Sequence, residues 1–262
     1  MKRKGNVVRK ILFRSLSFEK YLFVLSKLYF LSFNLGLLKN NPQYQYPYFL
    51  KHIVKPGDVV IDMGANLGYL TLLFSKLVKQ EGKVYAVEPV EPILDVLRKN
   101  TKKCYNVKIC PFALGNENKK IALGNDSIME KGFISSGTNY IIDGNVTRKD
   151  EAEIEFNAEM KKGSEYFSHL TRLDFMKIDV EGYETVIIPE MEPLITKFKP
   201  IILLESHSDK RKKMLQYMEN KGFKAFVLHQ HALYPTDENE FWDILFVHKA
   251  KMDRISTFIA DW

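Results

Sequence analysis

The hydrophobic pattern changes period at Asp62. Val59-Val-Ile61 is a run of β-branched residues, and Gly64, Asn66 and Gly68 follow Asp62 within six residues. Leu70-Thr-Leu-Leu-Phe-Ser-Lys-Leu-Val78 then places its apolar residues at helical spacing. A buried strand, a glycine-bearing turn and an amphipathic helix are predicted in that order. The glycines let the backbone approach a ligand, and the helix start offers free N–H groups to an anion.

The alternation of strand and helix continues. Gly82–Glu88 predicts a second strand, Pro92–Lys103 a crossover helix and Asn106–Pro111 a third strand. Phe175–Asp179 and Pro200–His207 read as a fourth and a fifth strand. Between them Thr185–Phe198 is helical, shortened or kinked by Pro189 and Pro193. A helix over Asp209–Lys221, closed by Gly222, leads to strands at Phe223–Leu228 and Asp243–His248. These two lack a crossover helix, with His229–Trp242 as the loop between them, so they form an antiparallel pair.

Two segments break the rhythm. Tyr21, Val24, Leu28, Leu31, Leu35 and Leu38 recur at helical spacing and predict one or two helices packed on the main domain or on a partner subunit. Arg14, Glu19, Lys20 and Lys27 interrupt that segment, and its uncharged piece Leu28–Leu38 is far short of the roughly 20 residues a membrane span needs. Asn40-Asn-Pro42 ends the helix, and Gln43–Tyr48 reads as an aromatic linker. In the middle, alternation in Lys120–Leu123 and Ala152–Phe156 predicts a peripheral hairpin. Gly132–Thr147, rich in Gly, Ser and Asn, is expected to be a mobile loop near the ligand. The predicted organisation is a basic helical extension and linker over 1–48, a main domain over 49–250 carrying 116–169 as an insertion, and a tail over 251–262.

Composition narrows the class. An apolar content of 45% and a charged content of 27% suit a soluble globular chain of 262 residues. Of the net charge of +7, six positive charges lie in the first eighteen residues: Lys2, Arg3, Lys4, Arg9, Lys10 and Arg14. This is either a solvated basic terminus or a contact for anionic lipid or a polyanion; no nucleic-acid-binding face is expected. Cys104 and Cys110 have no metal-ligand spacing and exclude a disulfide framework. The expected location is cytoplasmic, with peripheral attachment to the inner face of a membrane through the N-terminal segment as the alternative.

In an open α/β sheet, ligands sit at the carboxyl ends of the strands. Asp62, Glu88, Ala113, Asp179 and the Glu205/His207 pair all fall at predicted strand ends. Five such positions on one edge weigh more than the glycine turn, whose Gly-x-Asn-x-Gly departs from the dinucleotide fingerprint. An acidic residue at the tip of the second strand, here Glu88, suits ribose hydroxyls.

Val59–Tyr69, Val87-Glu-Pro89, Ala113-Leu-Gly115, Phe175–Glu184 and Pro200–His207 together resemble the FkbM family of S-adenosylmethionine-dependent methyltransferases. The likeness covers roughly residues 50 to 250, and Lys177-Ile-Asp-Val-Glu-Gly182 is its most specific piece. It implies a Rossmann-like class I methyltransferase fold, a mostly parallel seven-stranded sheet with an antiparallel last strand, plus the N-terminal helices. It further implies O-methyl transfer to a hydroxyl of a sugar, glycan or glycosylated small molecule. By position, Asp62, Gly64, Asn66, Gly68 and Tyr69 would hold the methionine part of the cofactor, and Thr71 its carboxylate. Glu88 would bind the ribose, and Phe112-Ala113-Leu114 would border the adenine, with Asn116 or a backbone carbonyl on its amino group. Asp179, beside the methyl group, is the first candidate for positioning or base work; His207 is the second, and Glu181 shares either role. Asp179, Glu181 and His207 binding a divalent cation is the alternative, and no metal site is assigned. Lys177 is expected to snorkel or to pair with a carboxylate such as Glu184. A homo-oligomer is compatible with this reading. Competing readings are a non-catalytic member docked on a membrane-associated glycan-assembly complex and an RNA methyltransferase.

Overall fold

The computed structural model of the protein describes residues 2–125, 127–142, 152–205, 210–236 and 243–260. Three helices lead: α1 (Lys2–Ser15), α2 (Phe18–Asn34) and α3 (Gln45–Ile53). The alternating part follows as β1 (Val59–Met63), α4 (Tyr69–Val78), β2 (Lys83–Val87), α5 (Glu91–Thr101) and β3 (Val107–Cys110). The insertion holds β4 (Ala113–Gly115), β5 (Lys119–Asn125), α6 (Ser127–Lys131), β6 (Tyr140–Ile142), β7 (Ile154–Lys162) and α7 (Gly163–Tyr166). The chain returns through β8 (Phe175–Ile178), α8 (Glu184–Glu190), α9 (Glu192–Phe198), β9 (Ile201–Glu205) and α10 (Lys210–Asn220). It ends on β10 (Phe223–His229), β11 (Ala232–Pro235) and β12 (Asp243–His248).

The main sheet has the order β11-β10-β12-β9-β8-β1-β2-β3. The five strands from β9 to β3 pair in parallel, and β12 lies antiparallel between β9 and β10. The crossover from β3 to β8 passes back over β2 and β1, so the switch point lies between β1 and β8, where Asp62 faces Lys177. Burial on both sides explains the unbroken apolar runs: β8 and all but the first residue of β1 are buried. One core layer joins Ile61, Met63, Met176, Ile178 and Ile202 to α8–α10, and the other joins Val60, Phe175, Leu203 and Leu245 to α3 and α4.

Four expectations need correction. The sheet has eight strands rather than seven, because β11 folds back on β10 through a two-residue turn at Gln230-His231. Gln43–Tyr48 is no linker: a 3-10 turn at Pro42–Tyr44 runs into α3, whose Tyr46, Phe49, Leu50 and Ile53 are core residues. The boundary placed at 48/49 therefore falls inside a helix, and Pro47 is tolerated because it occupies the first turn. The tail packs back, with Ile255 fully buried and Arg254 bonded to Asp58 (2.5 Å). The peripheral hairpin is real, since β5 and β7 pair over seven residues, but β4 and β6 extend it to a four-stranded sheet of order β4-β7-β5-β6. Pro189 and Pro193 do divide their helix, at Met191.

Candidate active site

The glycine turn is shaped by what touches it. Gly64 has φ +71°, and a Cβ built there would collide with the carbonyl oxygen of Asp179. Asn66 (φ 51°) and Gly68 (φ 88°) also take left-handed backbone, which turns the chain from β1 into α4 within six residues. The backbone N–H of Asn66 donates to Oε2 of Glu88 (2.9 Å), and that of Val90 donates to Oε1 (3.0 Å), so the tip of β2 is tied to the turn after β1. Burial outweighs these two donors and pushes the Glu88 carboxyl up to about 7.

Asp62 is fully buried at the base of the turn. Its Oδ2 accepts the Thr71 hydroxyl (2.6 Å), so Thr71, expected on the ligand's carboxylate, instead orients Asp62. Oδ1 of Asp62 has no hydrogen-bond partner, and burial raises the pKa of this group against the pull of Lys177. An orphaned buried oxygen calls for a donor from a ligand.

Lys177 sits at the centre and does not pair with Glu184, which accepts from the N–H of Gly182 instead (2.9 Å). Its Nζ donates to the carbonyls of Met63 (3.2 Å) and Gly64 (2.9 Å) and to Oδ2 of Asp179 (2.9 Å), 4.0 Å from Asp62. Burial opposes the ammonium, but the Asp179 and Asp62 carboxylates prevail and raise its pKa. Lys177 thus locks the end of β8 to the turn after β1.

Two open cavities of about 650 Å³ each meet at Gly64, Asn66 and Asp179. The first runs past Glu88, Ala113 and Leu114 to Ser136, Gly137 and Asn139 of the insertion, so the described part of the Gly132–Thr147 stretch, up to 142, borders it. Asn116 does not line it, and Phe112 turns away to pack on Tyr166 (4.7 Å). The second cavity is lined by Asp62, Lys177, Glu205 and Asp243 together with Gln43, Tyr46 and Tyr69. Tyr69 forms its wall while its ring rests on Tyr29 of α2 (4.3 Å).

Residues 62–225 match the model of the methyltransferase FkbM domain. The chain belongs to the FkbM methyltransferase family. Its sheet order sets one antiparallel strand, β12, between β9 and β10. Among curated proteins it is similar to the protein-L-isoaspartate O-methyltransferase of Aeropyrum pernix, with 34% identity over 65 residues, 25% of each protein. The enzyme of that name from Methanosarcina mazei shares 32% over 77 residues, 29% of this chain and 28% of the relative. The chain thus matches only about a quarter of the length of these relatives. Among solved structures, methyltransferase FkbM from Methylobacillus flagellatus gives a TM-score of 0.47 at 12% identity, over 77% of this chain and 50% of that one. Aeropyrum pernix fibrillarin, solved with bound S-adenosyl-L-methionine, gives 0.44 at 12%, over 78% and 73%.

The methyl donor of the FkbM family is S-adenosylmethionine, and the residues present fit it. The unpartnered Asp62 Oδ1, which lines the second cavity beside the junction, suits the amino group of a methionine reaching across from the first; the glycine turn leaves room for its backbone-like end, and Glu88 offers acceptors to ribose hydroxyls. Ala113 and Leu114 give apolar faces for a flat base.

Of the catalytic candidates, Asp179 stands where the cavities meet, with its side chain 32% exposed. Glu181 lies on the rim of the first cavity at φ 52°, and burial together with the charges of Asp179 and Glu184 pushes it up to about 7. His207 lies outside the described residues. Among the described residues, no group of three or more His, Cys, Asp and Glu is placed to hold a metal ion. Sequence reasoning missed Asp243, directly opposite Glu205 on the neighbouring strand. Burial, with Asp179 and Asp243 adding to it, pushes Glu205 up to about 8, and burial takes Asp243 up to about 6. The signal was an acidic residue opening an otherwise apolar strand, which only the antiparallel register brings to the site.

Proposed function

We propose that this FkbM-family protein methylates a hydroxyl oxygen of a sugar, a glycan or a glycosylated small molecule. The observation that carries the reading is the second cavity, where tyrosine rings and carboxylates share one wall. Sugars present hydroxyl donors and C–H faces together, and Tyr46, Tyr69, Glu205 and Asp243 offer partners for both. When bound in the first cavity, S-adenosylmethionine would supply an electrophilic methyl group. Asp179, at the junction, orients the acceptor hydroxyl and takes its proton. Lys177 holds the carboxylate in place through Oδ2. General-base assistance of this kind contributes about 10²–10⁴-fold. His207 is the second candidate for proton handling, and Glu181 shares either role.

The isoaspartate named for the curated relatives is a carboxylate acceptor. Here such a group would meet the Asp179 carboxylate, and like charges within a few ångströms in a partly dry cavity repel strongly. A neutral hydroxyl avoids that repulsion. The test is transfer of radiolabelled methyl from S-adenosylmethionine to a panel of glycans and to an isoaspartyl peptide. Alkali-stable label on a glycan, as an ether, is the expected result. Alkali-labile label on the peptide, as an ester, would overturn the assignment. Tight cofactor binding without turnover on any glycan would favour the non-catalytic alternative.

A further inference from the structure

Of the eight large apolar side chains most exposed among the described residues, seven lie between Val7 and Leu37, and the eighth is Tyr105. They are not scattered. Val7 and Ile11 are four apart on α1, and Leu28 and Leu31 on α2 continue to Leu35 at its C-cap in steps of three and four, so each helix turns an aliphatic stripe outward. The opposite faces are fully used: Leu12, Phe13, Leu16, Tyr21 and Leu22 pack with Ile93, Val96 and Phe133. Leu35 is 64% exposed and Leu37 72%, values unusual for leucine at the end of a well-packed helix.

Charge is distributed to match. Residues 1–57 hold eleven Lys and Arg and one acidic residue, Glu19, whose carboxylate is paired with Lys99. The other 205 residues hold 28 basic against 31 acidic side chains, so the whole positive excess sits on the segment carrying the stripes. Arg14, Lys20, Lys27 and Lys39 are exposed beside them. Among the described residues no helix is long and apolar enough to cross a membrane, so these helices would lie on a surface instead of entering it.

We propose that α1 and α2 dock the protein on an anionic lipid bilayer, with the aliphatic stripes in the headgroup boundary and the basic side chains on acidic headgroups. A second copy of the chain is the poorer occupant: a two-fold contact through this face would set one strongly positive segment against another. The docked helices also touch the wall of the second cavity and the insertion. Tyr29 rests on Tyr69, Tyr21 donates its hydroxyl to the Ile134 carbonyl (3.4 Å), and the Arg9 guanidinium lies 5.7 Å from the centre of the Phe133 ring. This proposal does not depend on which acceptor is methylated.

The experiment is co-sedimentation of the full chain with unilamellar vesicles, either of phosphatidylcholine alone or with about 30 mol% phosphatidylglycerol. Binding to the anionic vesicles is expected to exceed binding to the neutral ones by about tenfold or more and to weaken as salt is raised. The double variant Leu31→Glu/Leu35→Glu, at exposed positions, is expected to lose about tenfold of that affinity with an unchanged circular dichroism spectrum. Failure of the parent chain to sediment with anionic vesicles would overturn the proposal. So would equal sedimentation of the double variant. A stable dimer in light scattering that the double variant dissolves would give the face to a second copy instead.

Discussion

The two cavities that meet at Asp179 are assembled in opposite ways. The first cavity takes Gly64, Asn66 and Glu88 from one strand–turn–helix–strand unit, and its shape is enforced by contact: left-handed backbone, a carbonyl against Gly64, two N–H groups on one carboxylate. The second cavity takes Tyr46 and Asp243 from places 197 residues apart, bonded through the tyrosine hydroxyl and the Asp243 carbonyl (3.4 Å). Its character is electrostatic, with four carboxyl groups around one ammonium. Steric requirements tolerate almost no variation, whereas a charge pattern is tuned by single substitutions. A family can thus keep one donor and change acceptors.

The comparison can be broken where the sides join. Asp179→Asn keeps an acceptor for Lys177 and is expected to lower kcat by about 10²–10⁴-fold while the cofactor Kd changes little. Steady-state kinetics beside calorimetric titration of S-adenosylmethionine separates the two, and turnover at the parent rate would take Asp179 out of proton transfer. Gly64→Ala attacks the turn itself. The strained φ and the collision with Asp179 are expected to cost about 2–4 kcal/mol of stability, read by denaturant unfolding, and to weaken cofactor binding. Stability within about 0.5 kcal/mol of the parent would show that the turn yields easily.

The smallest effect separates the sides by pH. Glu88, Glu181 and Glu205 have folded pKa values of about 7, 7 and 8, above the ordinary 4.5, so between those limits the folded chain holds more protons than the unfolded one. The stability these groups contribute is complete below the unfolded value and is lost as pH rises through the folded values. The ligand-free protein is expected to lose about 5 °C in Tm between pH 5 and pH 8, and Glu205→Gln to flatten the upper part of that fall. A Tm that rises over this range would contradict the burial of these carboxyls.

Much of the fold was legible because its strands are doubly buried and its helices amphipathic. β1, β2, β3 and β8 lie within one or two residues of their predicted spans, and the proline-rich helix divides as expected. What escaped lacked a local signal. The β10–β11 turn places Gln230 and His231 at φ 46° and 71°, where Asn-Gly would have announced a hairpin. β7 alternates Glu and Lys with half-buried residues, and so reads as solvated chain past Phe156. At the site, Asp62, Gly64 and Glu88 could be found because the unit that carries them is continuous. Thr71 was misread because its proximity to Asp62 arises only when α4 closes over the turn. Gln43, Tyr46 and Asp243 reach the cavity through tertiary packing alone, which no spacing in the sequence reports.

The neighbouring of β1 and β8, which sets Asp62 beside Lys177, bears on the history of each molecule as it is made. The glycine turn leaves the ribosome early, but its locking ammonium and the Asp179 carbonyl arrive more than a hundred residues later. Closing so long a loop is slow and carries an entropic cost before any contact repays it. The turn is then among the first parts synthesised, yet its contacts are complete only once Lys177 and Asp179 have arrived and the insertion that borders the first cavity is in place. Cofactor added during refolding would lengthen the life of the finished protein without hastening its arrival.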